Sequence, residues 1–448
     1  MVNRSAASPL ARAAAGLLSA LLLLPLSARP AAAADGTRAA FDWGARLRLR
    51  QEYLANVYDF SEAIEDDYNY LRVRPQLWGS WEPSDRWKLY AMIANEHRHW
   101  FKSNKGLEDA DFEIHELLVE NLYVEGKKLG GTPFGFVLGR QNLFYGEGFV
   151  CWDGGPLDGS RTAYFNALLL TAAFEKRRFE IHFIADTERD QYLTPVNDQR
   201  QQLVETDETG AGVYFVDESM GSKKLEAYYF FKSERDDDGD YPESDIHTIG
   251  ARASGEAAKN LSFAAEGAVQ FGDRGSSDRI GYGGYVTLKQ AFRPFALGGG
   301  GIYLSGDEHS RDRYEGWNPL YSRWPKWSDL FIYTLKTEKG PAYWENIASL
   351  WLGSEYAPCG RAAFELQLRF LWAPEARWED CADDCAEPPQ ILSDEFAYRG
   401  TMSTVKLNWT ANAHLAGHLV WEMLLPGDYY AGDGDAAHFL RWEMQLRY

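Results

Sequence analysis

Residues 440–448 read Leu440-Arg441-Trp442-Glu443-Met444-Gln445-Leu446-Arg447-Tyr448, and the alternation in them decides the fold. Leu440, Trp442, Met444, Leu446 and Tyr448 share one parity, while Arg441, Glu443, Gln445 and Arg447 share the other. Side chains alternate faces along a strand, so this segment has one apolar face and one polar, charged face. An amphipathic edge strand of a soluble sheet would read the same way, but it seldom needs charge so dense on one side. In a transmembrane barrel the apolar face meets lipid and the charged face meets a watery lumen.

The pattern recurs upstream. In Phe41–Tyr53, Trp43, Ala45, Leu47 and Leu49 oppose Arg46, Arg48 and Arg50; in Tyr70–Trp81, Leu71, Val73 and Leu77 oppose Arg72, Arg74 and Gln76. It returns in Trp87–Arg98, Phe179–Asp186, Leu225–Lys232, Leu261–Phe271, Tyr282–Lys289, Arg361–Trp372, Val405–Trp409 and His414–Leu424. Weaker alternation marks Glu116–Val124, Phe134–Gln141, Asn166–Phe174, Ala211–Val216, Ile246–Ala253, Phe295–Leu304 and Asn346–Tyr356. The expected fold is therefore all-β: a transmembrane antiparallel β-barrel of about 18 strands.

Residues 1–34 carry Arg4 and Arg12, an apolar run from Ala13 to Leu26, and Ala32-Ala33-Ala34 before Asp35. That is the plan of a secretory signal peptide, so residues 35–448 are expected to form the barrel. After it no apolar stretch approaches the roughly 20 residues a membrane helix requires. Aromatic residues make up 15 % of the chain, which suits interfacial girdles. A C-terminal strand ending in an aromatic residue also resembles the assembly signal of bacterial outer-membrane proteins.

Short connections such as Glu82–Arg86 and Glu175–Arg177 alternate with long ones such as Leu54–Asn69, Asn142–Phe165 and Ser305–Glu345. Outer-membrane barrels keep short turns in the periplasm and long loops outside, so both termini are expected on the periplasmic side and the strand number to be even. Trp43, Trp81, Trp87, Trp409 and Tyr448 would then stand on the lipid face at the periplasmic boundary. The longest connection, Ser305–Glu345, mixes Arg311, Arg313, Arg323 and Lys326 with Trp317, Trp324 and Trp327. Its length points to function, and it is expected to fold into the barrel mouth, with a surface flap as the alternative.

Leu71-Arg72-Val73-Arg74-Pro75, then Gly139-Arg140-Gln141-Asn142-Leu143-Phe144-Tyr145-Gly146, then Gly159-Ser160-Arg161-Thr162 together resemble the alginate export family of bacterial outer-membrane porins. The resemblance implies an eighteen-stranded barrel with an arginine-rich constriction for an anionic polysaccharide, and it carries Arg72, Arg74, Arg140 and Arg161 over as pore residues. Arg46, Arg48, Arg50, Arg252, Arg369 and Arg441 join them by parity alone. A guanidinium is always charged and grips carboxylates in a bidentate fork, so a ladder of them can hand a polyanion along. The alternative is that these arginines pair with lumen carboxylates such as Glu52, Glu96, Glu266, Glu365 and Glu443 and simply fill the barrel. Single Arg48, Arg72, Arg74 or Arg140 replacements by glutamate are expected to tune selectivity without preventing assembly.

The expected function is thus an outer-membrane channel for passive secretion of alginate or a similar uronate polymer. Uptake of acidic oligosaccharides, or a barrel enzyme or adhesin acting through outer loops, stays open. No G-x-S-x-G or H-E-x-x-H motif occurs, and no enzyme is expected. The net charge of −20 resides largely in the expected loops, at Glu62, Glu65, Asp66, Asp67, Asp236 to Asp238, Glu379, Asp380, Asp383, Asp384 and Asp433. Screening over roughly 8 to 10 Å separates these from the lumen. They offer Ca2+ a bridge to lipopolysaccharide, with solvated loop tips the plainer reading, and no other cofactor or metal is expected. Cys381 and Cys385 bracket Ala-Asp-Asp and are candidates for a local disulfide in an oxidising compartment. Expected partners are the anionic polysaccharide, outer-membrane lipid and lipopolysaccharide, and periplasmic polysaccharide-secretion proteins, but no nucleic acid.

Overall fold

The computed structural model describes residues 40–58, 60–63, 67–102, 117–152, 164–188, 192–193, 206–236, 241–308, 313–322, 327–339, 344–375, 397–430 and 434–448. The expected signal peptide, Arg161, and the Cys381 and Cys385 pair lie outside these residues, as do Arg311, Arg323, Trp324 and Lys326.

The first strands are β1 (Ala40–Ala55), β2 (Tyr68–Ser84), β3 (Trp87–Ala94), β4 (His97–Lys102), β5 (Leu118–Gly126) and β6 (Phe134–Gln141). After the two-residue β7 (Cys151–Trp152) come β8 (Phe165–Ala173), β9 (Arg177–Asp186), β10 (Asp207–Met220), β11 (Lys223–Arg235) and β12 (Ser244–Ala258). The wall continues through β13 (Leu261–Arg274), β14 (Ser277–Phe292) and β15 (Phe295–Leu304). Two short pieces, β16 (Arg313–Tyr314) and β17 (Tyr321–Ser322), and the helix α1 (Leu330–Lys339) precede β18 (Ile347–Cys359) and β19 (Ala362–Trp372). The chain closes with β20 (Tyr398–Thr410), β21 (Leu415–Pro426) and β22 (Ala437–Arg447).

Each wall strand pairs antiparallel with its neighbours, and β22 pairs back onto β1 from Arg46↔Arg447 to Ala55↔His438. β3 and β4 form one wall strand, interrupted at Asn95 and Glu96 opposite Pro75, which has no N–H to give the ladder. Counted so, the wall is a closed barrel of eighteen strands, the number the alternation predicts. Closure gives every wall strand, with β3 and β4 counted as one, a paired neighbour on each side, the condition for spanning lipid with β structure. Among the described residues no helix is long and apolar enough to cross a membrane.

The parities fall as read. Trp81, Leu77, Leu366, Leu440 and Trp442 are exposed on the outer face, while Arg48, Arg50, Arg72, Arg74 and Arg441 are buried inside. Trp43 and Tyr448 meet at the β1–β22 seam with ring centroids 5.1 Å apart. Val73→Arg or Leu47→Arg is therefore expected to destabilise the inserted barrel by roughly 2 to 4 kcal/mol, since each puts a charge on the lipid face. Urea unfolding of protein refolded into bilayers measures the loss.

Several boundaries differ from the sequence reading. β20 begins at Tyr398 rather than Val405, and β10 spans Asp207–Met220 rather than Ala211–Val216. The added stretch of β20 breaks simple alternation because a bulge opposite Leu371 and Trp372 turns Arg399 into the packed interior together with Gly400 and Met402. One outer connection, between β13 and β14, is only Gly275-Ser276, with Gly275 at φ +57° in the left-handed region glycine tolerates.

The barrel is filled. Two stretches fold inward: residues 142–152 after β6, and the segment carrying β16, β17 and α1. They meet through a parallel β7–β17 bridge, with Tyr321 opposite Cys151. Trp317, fully buried, stacks on Phe149 at 5.1 Å, and with Val150, Leu320, Tyr321 and Phe331 it joins inward residues of the wall such as Tyr214, Phe230 and Leu304 in one apolar cluster. The expectation that the long connection enters the barrel thus holds for its described part. In sequence, residues 142–152 show only as part of the long connection Asn142–Phe165.

Candidate functional site

The wall supplies inward arginines because strand periodicity puts every second residue of β1, β2 and β22 into the interior. Register then decides what each one meets. Arg48 lies opposite Arg74 and Arg50 opposite Arg72 across β1–β2, and Arg50 lies opposite Glu443 across β1–β22. Four guanidiniums on two adjacent strands require carboxylates between them, and the interior provides these.

Arg48 donates to Glu96 at 2.6 Å, and Arg72 and Arg74 each approach the same carboxylate at 3.9 Å. Arg74 also binds Glu120, whose other oxygen accepts from Gln76 at 2.5 Å. Arg50 lies 2.6 Å from Glu443 and 3.7 Å from Glu52, and Arg72 lies 3.3 Å from Glu52. Arg441 binds Glu52 and forks onto Asp329 of the inward segment with bonds of 2.8 and 2.9 Å. Arg48, Arg50, Arg72, Arg74 and Arg441 thus share a continuous lattice with Glu52, Glu96, Glu120, Glu443 and Asp329. Arg48, Arg50 and Arg74 are no more than 1 % exposed. Buried charges persist only when paired and hydrogen-bonded, and the pairing left open in the sequence is what these side chains do.

The remaining sequence-chosen arginines sit apart from the lattice core. Arg46, half-buried at the lattice edge, lies over the Trp78 ring at 6.0 Å. Arg140 donates to Asn166 and to the Val119 carbonyl, each at 3.0 Å, and lies 3.9 Å over the Tyr164 ring. Arg252, across the barrel on β12, holds Glu226 at 2.5 Å and Tyr285 at 3.1 Å, and approaches Glu266 at 3.7 Å and Glu147 at 3.6 Å. Gly146, at φ +57°, lets the inward stretch pass beside this group: a Cβ there would stand 2.7 Å from Arg252 Cδ. Arg369 on β19 is stacked among tryptophans.

Sequence reasoning missed Glu120, Asp329 and Arg399. Arg399, fully buried, lies 4.3 Å over the Tyr429 ring and donates to Tyr430 and the Asn346 carbonyl, each at 3.2 Å. It fell outside the expected limits of its strand. Glu120 sits on inward parity in β5 and was legible in principle; Asp329 belongs to the segment whose path only tertiary structure reveals. The inward segment is also fastened at α1, where Glu422 Oε2 accepts the backbone N–H groups of Asp329 at 3.0 Å and Leu330 at 2.7 Å. A carboxylate at a helix N-terminus satisfies donors that the helix itself leaves open. Among the described residues no cluster of His, Cys, Asp and Glu is placed to hold a metal ion.

The model of the family described as alginate export matches residues 40–300. No curated protein matches the sequence. Among solved structures, OccD3 (OpdP) of Pseudomonas aeruginosa is similar with a TM-score of 0.56 at 8 % identity, over 96 % of this chain and 97 % of that one. OccAB4 of Acinetobacter baumannii gives 0.56 at 11 % identity, over 92 % and 99 %. OccK2 (OpdF) of Pseudomonas aeruginosa, solved in complex with glucuronate, gives 0.55 at 10 % identity, over 91 % and 97 %. At such identities the likeness is one of fold.

Proposed function

This chain belongs to the alginate export family, and from that premise we propose that it conducts an anionic polysaccharide of the uronate class, alginate or a close relative, out of the periplasm. It is a channel protein of the bacterial outer membrane. The observation that carries the finer reading is the arginine–carboxylate lattice on β1, β2, β3/β4, β5 and β22. Each lattice guanidinium already holds a carboxylate. A uronate carboxylate arriving there exchanges with a glutamate rather than binding a bare cation, so no guanidinium is left unpaired and no single grip becomes deep. Passage through channels depends on many shallow sites of this kind. Since the interior is filled, passage also requires the inward segments to yield.

Planar bilayers with the purified protein test this. Anions are expected to permeate better than cations, and oligouronates to block the current where neutral oligosaccharides of equal length do not. Preference for cations removes the proposal.

The glucuronate complex of OccK2 favours a second reading, uptake of acidic monosaccharides. Liposome permeation separates the two: uptake predicts that glucuronate enters while oligomers of several residues are excluded, and export predicts that the oligomers pass once the inward segment is removed. Periplasmic polysaccharide-secretion proteins are the partners that export implies.

A further inference from the structure

A cavity of about 210 Å³ lies between the inward segments and the wall formed by β14, β15, β18 and β19. We propose that this cavity is a subsite for one uronate residue, with the sugar ring against Trp327 and Trp351 and its carboxylate on Arg369. The inference rests on the anionic-polysaccharide reading above and deepens it.

Sequence builds the site in three steps. The tract Gly298-Gly299-Gly300-Gly301 strips β15 of side chains, and Gly298 and Gly300 face inward by their pairing with Gly353 and Trp351. Trp351 fills the groove they leave: a Cβ on Gly298 would stand 3.1 Å from its ring, and one on Gly300 would stand 2.9 Å from its Nε1. Arg369, directly opposite Trp351 across β18–β19, then stands with its guanidinium carbon 4.2 Å from the Trp327 centroid and 5.9 Å from that of Trp351.

Arg369 differs from the lattice arginines in its partners. It donates to Ser349 Oγ at 2.7 Å and to Gln367 Oε1 at 3.4 Å, both neutral. Among the described residues no carboxylate lies within ion-pair distance, its Nε is buried without an acceptor, and the residue is 3 % exposed. The Trp327 Nε1 is likewise buried without an acceptor. A buried guanidinium with no carboxylate in contact, Glu422 acting on it only from beyond ion-pair distance, is costly, and an arginine offers the fork that a carboxylate fits. Flat aromatic rings supply a face for the apolar side of a pyranose, while Gln367 and Glu147, also on the cavity lining, can bond hydroxyls. Glu147 repels the carboxylate and so fixes which end of the sugar points to Arg369. The volume lies below the roughly 300 to 1,000 Å³ of drug-sized pockets, which suits one ring rather than a chain segment.

The test is tryptophan fluorescence of the purified full-length protein in detergent micelles, titrated with sodium glucuronate, a mannuronate trimer and glucose. Wild type is expected to respond to both uronates and not to glucose. Arg369→Gln should weaken uronate binding by at least about tenfold, the scale of a charge-assisted hydrogen bond, and Arg369→Lys should recover part of it. Trp327→Leu, a change on the inward segment rather than the wall, should weaken binding with Arg369 intact; heat-modifiable migration verifies that each variant is folded. Unaltered uronate affinity in folded Arg369→Gln, or in folded Trp327→Leu should the first variant not fold, overturns the subsite. Transport then still stands if bilayer currents are anion-selective and blocked by oligouronates. Equal response of wild type to glucose overturns recognition of the carboxylate, and absence of both uronate binding and anion selectivity overturns subsite and transport together.

Discussion

Glu96→Ala is expected to destabilise the folded barrel by roughly 3 to 5 kcal/mol, the cost of removing one partner from a buried ion pair. Arg48, Arg72 and Arg74 all reach the Glu96 carboxylate, so the substitution takes one carboxylate from three guanidiniums at once; Arg72 keeps Glu52 and Arg74 keeps Glu120, and Arg48 bears the main loss. Arg48→Glu is expected to be worse still, because it sets a carboxylate against Glu96 where a bond of 2.6 Å now runs. This reverses the expectation drawn from parity alone, that lumen arginines tolerate glutamate and merely tune selectivity; that expectation assumed water around them. Arg46→Gln serves as the control, since Arg46 is only half-buried and lies over Trp78 at the lattice edge. Urea midpoints in bilayers should fall steeply for the first two variants and little for the third.

Replacing residues 309–343 with a short Gly-Ser linker is expected to raise single-channel conductance several-fold. The linker removes Trp317, Leu320, Tyr321 and α1 from the interior while every wall strand keeps both neighbours. Arg441 loses Asp329 but retains Glu52, so the lattice survives the change. Unchanged conductance would mean that the segment does not obstruct the pore. The wider pore should also discriminate less between uronate oligomers of different length, because the wall at Arg369 loses Trp327.

The wall was legible because lipid and interior impose opposite demands on alternate residues. Leu47 and Arg48, or Leu366 and Gln367, declare their faces without knowledge of any partner. Residues that face a packed interior declare nothing: Met402 is buried and apolar on inward parity, and so the sequence reading began its strand three residues beyond it. Arginine positions were legible, but their pairings were not, since Arg50 meets Glu443 across 393 residues and only the closing register brings them together. The glycine tract at 298–301 reads as a weak strand until Trp351 is seen lying in it. The inward path of residues 142–152 depends on the β7–β17 bridge, a contact between two loops that neither announces.

The seam between β1 and β22 has a consequence for how such a chain is made. Ala45 and Tyr448 exchange backbone hydrogen bonds of 2.8 and 3.2 Å, and Arg50–Glu443 fastens the same seam from within. Closure therefore joins the earliest and latest strands of the wall, the costliest kind of contact to find in a folding search. A chain lacking the final strand would expose two unpaired edges, each a template for association with other chains. The barrel therefore sheds its edges only when both end strands are in register, β1 from Arg46 to Ala55 against β22 from His438 to Arg447.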